Sequence, residues 1–250
     1  MKKRIGDINW MSETEFTLEG VKFKLILSDF HAHKTSIDQI CLIKSRAAID
    51  MYQEVLEGLE PANFLEFGVF QGGSPIFFSL FYHLEKFVGV DISPPITGFD
   101  EFLRSHPVGE RIKIYYEVSQ DDEDKIHSIV AEEFGEQAID IIIDDASHQY
   151  ELTRRSFEIG FPLLKPGGIY AIEDWGWAHW KGFDQWEDAP AMSNLIFELI
   201  MVSASHPELI SEIRVFPAFA FVTKSPLYTD KKEIKLDKLY DTRGRTLTLI

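Results

Sequence analysis

The sequence predicts an α/β protein with a doubly wound, mostly parallel seven-stranded sheet and a short N-terminal extension. Short apolar runs alternate with helical segments of about 10 to 15 residues, which is typical of parallel β-α-β units. The run 139–143 is almost continuously apolar, as expected of a strand that is buried on both faces of a parallel sheet. The runs also end on acidic residues, and such strand ends gather at one edge of a sheet.

The extension, residues 1–35, contains a loosely alternating stretch at 17–27 that predicts a short strand or hairpin. Apolar residues then recur at helical spacing over 37–59, and Pro61 ends that helix. The run 63–67 is an apolar strand that leads into glycines, and the helix 75–84 follows with a proline near its first turn. These elements open a main domain that we place at 36–228, before a charged tail at 229–250.

The rest of the main domain repeats the same alternation of strand and helix. The run 139–143 is followed by a helix that Pro166-Gly167-Gly168 closes, and acidic residues open the helix 122–134 where its dipole favours them. The remaining strands are expected at 87–90, 112–118, 139–143 and 169–172, with one or two closing strands in 213–222. The remaining helices are expected at 99–104, 122–134, 150–164 and 192–203.

Composition excludes several classes of protein. The chain has 250 residues and a formal net charge of −16, which repels phosphate backbones and anionic lipid. Cys41 is the only cysteine, so neither an intrachain disulfide nor a thiolate zinc cluster can form. The basic start at residues 1–4 lacks the apolar run of a secretory signal, and no stretch is long enough to span a bilayer. A cytoplasmic protein is therefore expected.

A glycine-rich turn lies between the first strand of the main domain and its helix. Gly68 can adopt positive φ, and Gly72-Gly73 allow close approach of the backbone to a ligand. The spacing differs from the dinucleotide pattern G-x-G-x-x-G. A tight turn without any ligand is the alternative interpretation.

Two carboxylates refine the choice of ligand for this turn. Glu66 ends the strand beside it, where a carboxylate opposes a pyrophosphate but suits a cation such as a sulfonium with an α-ammonium. Asp91 ends the next strand and can accept two hydrogen bonds from ribose hydroxyls. Capping or turn formation is the alternative for Asp91.

A second acidic group follows the strand 139–143. Asp144, Asp145 and His148 stand at its end, and Glu173-Asp174 end the next strand. Carboxylates from neighbouring strands suit Mg²⁺, and a histidine beside the ion can take a proton from a hydroxyl. Any one of these acids can instead cap a helix.

Four of the five tryptophans follow this acidic group. Aromatic faces suit sugar rings and other planar rings, so the segment is a candidate acceptor site. A core plug or an oligomer contact is the alternative. The residues are Trp175, Trp177, His179, Trp180, Phe183 and Trp186.

Several motifs together resemble class I S-adenosylmethionine-dependent methyltransferases. They are the glycine turn at 66–74, Val-Gly-Val-Asp at 88–91, Ile-Asp-Asp-Ala-Ser-His at 143–148, and the segment from Lys165 to Trp175. The chain is most similar to the metal-dependent branch with macrolide sugar O-methyltransferases and cephalosporin hydroxylase-like proteins. The resemblance covers about residues 37–224 and implies a Rossmann-like methyltransferase fold.

The resemblance also implies roles for individual residues. Its metal ligands would be Asp145, Glu173 and Asp174, with His148 as the base that deprotonates a hydroxyl. The segment Ser119-Gln120-Asp121-Asp122 would reach the adenine. The full set of donor-binding residues that we expect is Glu66, Gly68, Gly72, Gly73, Ser74, Asp91, Ser119, Gln120, Asp122 and Asp144.

The leading hypothesis is therefore a Mg²⁺-assisted O-methyltransferase that uses S-adenosylmethionine and acts on a small-molecule hydroxyl, in a sugar or natural product. The alternatives are a hydroxylase-like enzyme on the same scaffold and a binding protein without catalysis. We expect neither nucleic acid nor membrane as a partner, and a homodimer stays open.

Overall fold

The computed structural model describes residues 6–136, 138–182, 189–229 and 234–246. Seven strands form one sheet, in the order β10-β11-β9-β8-β5-β6-β7 with the bounds given below, and four further strands form a separate sheet. The predicted α/β fold with a seven-stranded, mostly parallel sheet is confirmed. The chain divides into two compact units, 1–119 and 120–250, which are described in turn. The boundaries that we placed at residues 35 and 228 stay predictions.

The N-terminal extension forms most of the small sheet. Its strands are β1 (Ile8–Trp10), β2 (Glu15–Leu18), β3 (Val21–Leu25) and β4 (Ile40–Leu42). The first three are antiparallel, and β4 pairs with β3 in parallel. Glu19 and Gly20 both have positive φ, as the tight two-residue turn between β2 and β3 requires. The predicted strand or hairpin at 17–27 is thus confirmed as a hairpin.

The helix predicted at 37–59 is wrong in its first part. Residues 40–42 are all buried and pair with β3, and α1 spans only Arg46–Val55. Ser45 begins the helix by accepting a hydrogen bond from the Ala48 backbone N–H at 3.1 Å. The apolar spacing fitted a helix, but a short strand buries the same apolar residues equally well when a neighbouring strand can pair with it.

The first unit also contains three parallel strands of the large sheet, and their prediction is confirmed. They are β5 (Asn63–Phe67), β6 (Lys86–Asp91) and β7 (Ile112–Tyr116), with α2 (Gly73–Phe81) and α3 (Thr97–Ser105) between them. Every residue of α2 is buried. One reason is that Phe77 meets the rings of Phe16 and Phe23 edge-on, each at 6.0 Å between centroids, so this helix packs on the small sheet.

The second unit continues the alternation. Its elements are α4 (Glu123–Glu133), β8 (Ile139–Asp144), α5 (Tyr150–Gly160), β9 (Leu164–Glu173), α6 (Ser193–Ser205), β10 (Ile210–Val215), β11 (Phe219–Lys224) and α7 (Leu236–Leu239). Strands β8 and β9 are parallel, whereas β11 is antiparallel to both β9 and β10. The structure thus contains two closing strands. It also begins β9 at Leu164, so Pro166-Gly167-Gly168 lie in the strand rather than before it.

A buried carboxylate attaches the C-terminal segment to this unit. Glu158 on α5 is 2% exposed and lies 3.0 Å from Arg154 Nη1 and 3.3 Å from Arg155 Nη1. The same carboxylate accepts a hydrogen bond from the Leu236 backbone N–H at 2.9 Å, which fixes the start of α7. Among the residues that the structure describes, no helix has the length and apolar character needed to cross a membrane.

Candidate functional site

The glycine turn in the first unit has the backbone conformation that its sequence predicts. Gly68 and Gly72 have φ of 87° and 77°, where an L side chain is unfavourable. The Gly68 N–H donates to the Val90 carbonyl at 2.8 Å, which ties the turn to β6. The turn leads directly into α2, whose first backbone N–H groups have no partner within the helix and can bind an anionic or polar group.

Glu66 and Ser74 face each other across the turn. The Ser74 hydroxyl donates to Glu66 Oε2 at 2.7 Å, and the Glu66 side chain is fully buried at the end of β5. The pair therefore joins the strand to the first turn of α2. Direct contact of either side chain with a methyl donor stays a prediction.

Asp91 holds the turn from the next strand. Its Oδ2 accepts from the backbone N–H groups of Val69 and Phe70 at 2.7 and 2.9 Å, and its Oδ1 accepts from Ser93 N–H at 2.7 Å. The structure thus shows the turn-forming role that we had weighed as the alternative. Carboxylate oxygens have further lone pairs, so binding of ribose by Asp91 stays a prediction.

Gly72 and Gly73 are explained by packing within the protein. A Cβ on Gly72 would collide with the ring of Phe99, and one on Gly73 with the Cys41 carbonyl oxygen and the Leu42 Cα. The close contacts that these two glycines allow in the structure are with β4 and Phe99. Contact of these two glycines with a donor stays a prediction.

The second unit brings together three potential metal ligands. Asp145, His148 and Asp174 each present a ligand atom within 4.8 Å of the others, and all three are partly buried. His148 Nε2 lies 3.8 Å from Asp145 Oδ1. His148 and Asp174 have φ of 54° and 57°, the left-handed region that is uncommon outside glycine.

This group differs from the predicted ligand set in one residue. Asp145 and Asp174 are present as expected, and His148 joins them, but Glu173 lies outside the group. Glu173 is the last residue of β9, where it pairs with Phe219 of β11 and is 3% exposed. Asp174 follows the end of β9 and has a φ of 57°, so the chain leaves the strand conformation between these two acids. A metal-binding role for Glu173 stays a prediction.

Asp144 belongs to a buried hydrogen-bond network. It is 2% exposed and accepts from Ser156 Oγ, from Tyr170 Oη at 2.9 Å and from Gln120 Nε2 at 3.2 Å. Burial raises the pKa of Asp144 from 3.8 to about 7, although the hydrogen bonds from Ser156 and Tyr170 oppose the shift. The carboxylate thus has three partners inside the protein, and its contact with a donor stays a prediction.

The segment predicted to reach the adenine has mixed roles. Gln120 is 6% exposed and joins the Asp144 network, whereas Asp122 caps α4 by accepting from the Lys125 backbone N–H at 3.2 Å. Ser119 is partly buried and ends the first unit. Binding of adenine by these three residues stays a prediction.

The tryptophan-rich segment after β9 is attached to the turn between β10 and β11. The Asp174 N–H donates to the Ala218 carbonyl at 2.7 Å, and Trp175 Nε1 donates to the Phe216 carbonyl at 2.8 Å. Trp177 lies against His148, with ring centroids 4.3 Å apart.

The other aromatic residues of this segment are less closely tied to His148. Trp180 is partly buried, and His179 is exposed with its ring 6.3 Å from that of Trp175. Phe183 and Trp186 lie outside the described residues. Contact of the segment with an acceptor stays a prediction.

Sequence reasoning did not find Ser156, Tyr170 or the ring contact of Trp177. Ser156 lies on α5 and Tyr170 on β9, and both reach Asp144 only because these elements pack together. A polar residue inside an apolar strand, such as Tyr170 in β9, is a weak signal that a buried partner exists.

Comparison with known proteins finds O-methyltransferases among the similar proteins. A model of the rhamnosyl O-methyltransferase/CmcI family matches residues 30–178, a range that includes the glycine turn and both acidic motifs. The demethylmacrocin O-methyltransferase of Streptomyces fradiae is 32% identical over 153 residues, which are 60% of this chain and 35% of that protein. The mycinamicin VI 2''-O-methyltransferase of Micromonospora griseorubida is 32% identical over 144 residues, 56% of this chain and 33% of that protein.

Solved structures show the same fold. The MycE methyltransferase of the mycinamycin biosynthetic pathway, in complex with Mg, SAH and mycinamycin VI, superposes with a TM-score of 0.57 at 27% identity. The superposition covers 70% of this chain and 49% of that chain. The chain therefore spans about half the length of this solved relative and, from the matches above, about a third of the two curated relatives.

Proposed function

Because the chain belongs to the rhamnosyl O-methyltransferase/CmcI family, we propose that it transfers a methyl group from S-adenosylmethionine to a small-molecule hydroxyl with the help of Mg²⁺. The observation that carries this proposal is the group formed by Asp145, His148 and Asp174. Relatives are named as O-methyltransferases of mycinamicin VI and of a rhamnosyl tetracenomycin, which supports a sugar hydroxyl in a natural product as the acceptor.

The residues of the group fit a divalent cation. Asp145 and Asp174 supply carboxylate oxygens, which Mg²⁺ prefers, and leave positions for water or substrate. Glu173, at the end of the same strand that precedes Asp174, is the third predicted oxygen ligand. A bound Mg²⁺ lowers the pKa of a hydroxyl that coordinates it.

His148 is suited to take the proton of the acceptor hydroxyl. Imidazole is the side chain that changes its charge near neutral pH, and Mg²⁺ favours oxygen over nitrogen, so base chemistry fits His148 better than ligation. Asp145 lies 3.8 Å from Nε2 and the Trp177 indole lies on the ring, so both restrict the orientation of the imidazole. With S-adenosylmethionine bound, the acceptor oxygen would form a bond to the methyl carbon as the carbon–sulfur bond breaks, leaving S-adenosylhomocysteine, and His148 would hold the proton.

The glycine turn of the first unit supports binding of the donor. The turn lies between the end of β5 and the start of α2, and Asp91 holds it in this conformation. The buried carboxylate of Glu66 makes the strand end acidic, which suits a cationic donor.

Transfer of an isotope-labelled methyl group to a panel of glycosides tests the proposal. We expect turnover that EDTA abolishes and Mg²⁺ restores, and a loss of about 10²- to 10⁴-fold in His148→Ala. Glu212→Gln, an exposed change on β10, is the control. Wild-type rates in His148→Ala would overturn the mechanism. Binding of S-adenosylhomocysteine without turnover on any acceptor would favour the binding protein, and turnover that needs O₂ and a reductase would favour the hydroxylase-like enzyme.

We further propose that the protein acts in the cytoplasm, with neither nucleic acid nor membrane as a partner. The net charge of −16 supports this proposal. Size-exclusion chromatography with light scattering measures the molar mass in solution and so tests whether the protein forms a homodimer.

A further inference from the structure

Gln120 occupies a central position in the second unit. Its Nε2 donates to Asp144 Oδ1 at 3.2 Å and to Ser156 Oγ at 3.1 Å, and its Oε1 accepts from the Ser147 backbone N–H at 3.0 Å. The side chain is buried, with 6% of the residue exposed. It therefore connects the buried end of β8 to the loop that follows it.

An amide in this orientation matches the ionised Asp144 carboxylate on one side and the Ser147 N–H on the other. A reversed amide would place its carbonyl against the Asp144 carboxylate and its NH₂ group against the Ser147 N–H. A carboxylate at position 120 keeps the acceptor for Ser147 but loses the donor to Asp144. An apolar side chain loses both contacts.

Ser147 lies between two residues of the candidate metal group. Asp145 precedes it by two positions and His148 follows it, so the Ser147 N–H that Gln120 binds fixes the middle of the loop 145–148. His148 has a φ of 54°, a left-handed conformation that is uncommon outside glycine and that contacts within the loop can stabilise.

We propose that Gln120 is a positioning residue that holds the loop 145–148 in the arrangement in which Asp145 and His148 meet Asp174; this inference rests on the proposed function. The residue acts on the loop through Ser147 and is not itself a member of the candidate metal group. Partners of this kind orient metal ligands, and their loss costs about 10- to 100-fold in metal affinity. The segment that resembles the adenine site thus also supports the metal group.

A titration of the full-length protein with Mn²⁺, followed by electron paramagnetic resonance of the free ion, measures this effect without any turnover. The variants are Gln120→Met, Gln120→Glu, Asp144→Asn and the double variant Gln120→Glu/Asp144→Asn. The double variant reverses the polarity of the contact, because the introduced amide donates to the introduced carboxylate, and its net charge equals that of the wild type. Gln39→Met makes the same replacement of glutamine by methionine in the other compact unit, and it is the control.

We expect Gln120→Met to weaken Mn²⁺ binding about tenfold or more and the double variant to restore it to within about threefold of the wild type. Backbone hydrogen exchange at residues 145–149 should accelerate in Gln120→Met and return in the double variant, even without metal. Unchanged Mn²⁺ affinity and exchange in a folded Gln120→Met would overturn the inference, as would a folded double variant that binds no better than Gln120→Met. Failure of the wild type to bind Mn²⁺ would instead overturn the proposed function, and hydrogen exchange would still decide the role of Gln120.

Discussion

The indole of Trp177 lies on the imidazole of His148, with ring centroids 4.3 Å apart and planes inclined by 41°. The contact joins the tryptophan-rich segment after β9 to the loop after β8. The Nε2 atom of the same imidazole lies 3.8 Å from Asp145 Oδ1. The aromatic segment therefore shapes the proposed base as well as the candidate acceptor site.

Replacement of Trp177 by leucine should reduce kcat about fivefold, because an aromatic contact of this kind contributes about 1 kcal/mol to fixing the imidazole. Trp177→Phe should retain most of the rate, since it keeps a ring on the histidine. Initial rates of methyl transfer measure the effect, and the thermal unfolding midpoint controls for loss of fold. Equal rates in Trp177→Leu and Trp177→Phe would show that the ring contact is not used.

Ser74→Ala should lower the free energy of unfolding by about 1 to 3 kcal/mol, because it leaves the buried Glu66 carboxylate without the hydrogen bond from Ser74. Ser79 is a matched control on the same helix, since it is fully buried and its hydroxyl has no hydrogen-bond partner among the described residues. Ser79→Ala should be neutral or stabilising. Urea unfolding compares the two, and equal losses would refute the role of the Ser74–Glu66 pair.

Patterns along the sequence predicted the parts of the fold that depend on local signals. Residues close in sequence determine three of these parts. They are the strand 139–143, the glycine turn after 63–67 and the acidic start of α4. The helix predicted at 37–59 failed because Ile40-Cys41-Leu42 pair with β3, a contact that apolar spacing does not reveal. Tertiary pairing therefore decided between two structures that the same residues allow.

The candidate site also contains residues that the sequence predicted and residues that it did not. The acids at strand ends were predictable, because parallel strands place their carboxyl ends at one edge of a sheet. The partners of Asp144 were not, since Ser156 and Tyr170 reach it from α5 and β9. The packing reason for Gly73 also depends on β4, whose strand structure the sequence did not predict.

Gly73→Ala should destabilise the protein although alanine favours helices by about 1 kcal/mol over glycine. Gly73 is the first residue of α2, and a Cβ there would collide with the backbone of Cys41 and Leu42, which cannot rotate away as a side chain can. Gly20→Ala, at a turn with open space, should cost only about 1 kcal/mol for its positive φ. Urea unfolding measures both, and a stabilised Gly73→Ala would contradict the close approach of β4.

The stability of the protein should depend on pH through Asp144. Burial raises the pKa of its carboxyl from 3.8 in an ordinary environment to about 7, so between these values the folded state holds a proton that the unfolded state has lost. The contribution of Asp144 to stability is therefore complete below about pH 4 and is lost as the pH rises to about 7. Each pKa unit corresponds to roughly 1.4 kcal/mol, so a change on the order of a few kcal/mol is expected across that window.

Asp144→Asn isolates this dependence because it removes the titrating group while the amide oxygen can still accept from Tyr170 and Ser156. The free energy of unfolding of the wild type minus that of Asp144→Asn should fall as the pH rises from 5 to 7 and become constant above about 7.5. Urea unfolding in EDTA at several pH values measures it, since a bound cation near Asp145 would favour the ionised carboxylate. Any contact that the amide loses changes this difference in unfolding free energy by the same amount at every pH. Only the dependence of the difference on pH therefore tests the raised pKa. A flat difference would mean that the hydrogen bonds from Ser156, Tyr170 and Gln120 keep Asp144 ionised throughout.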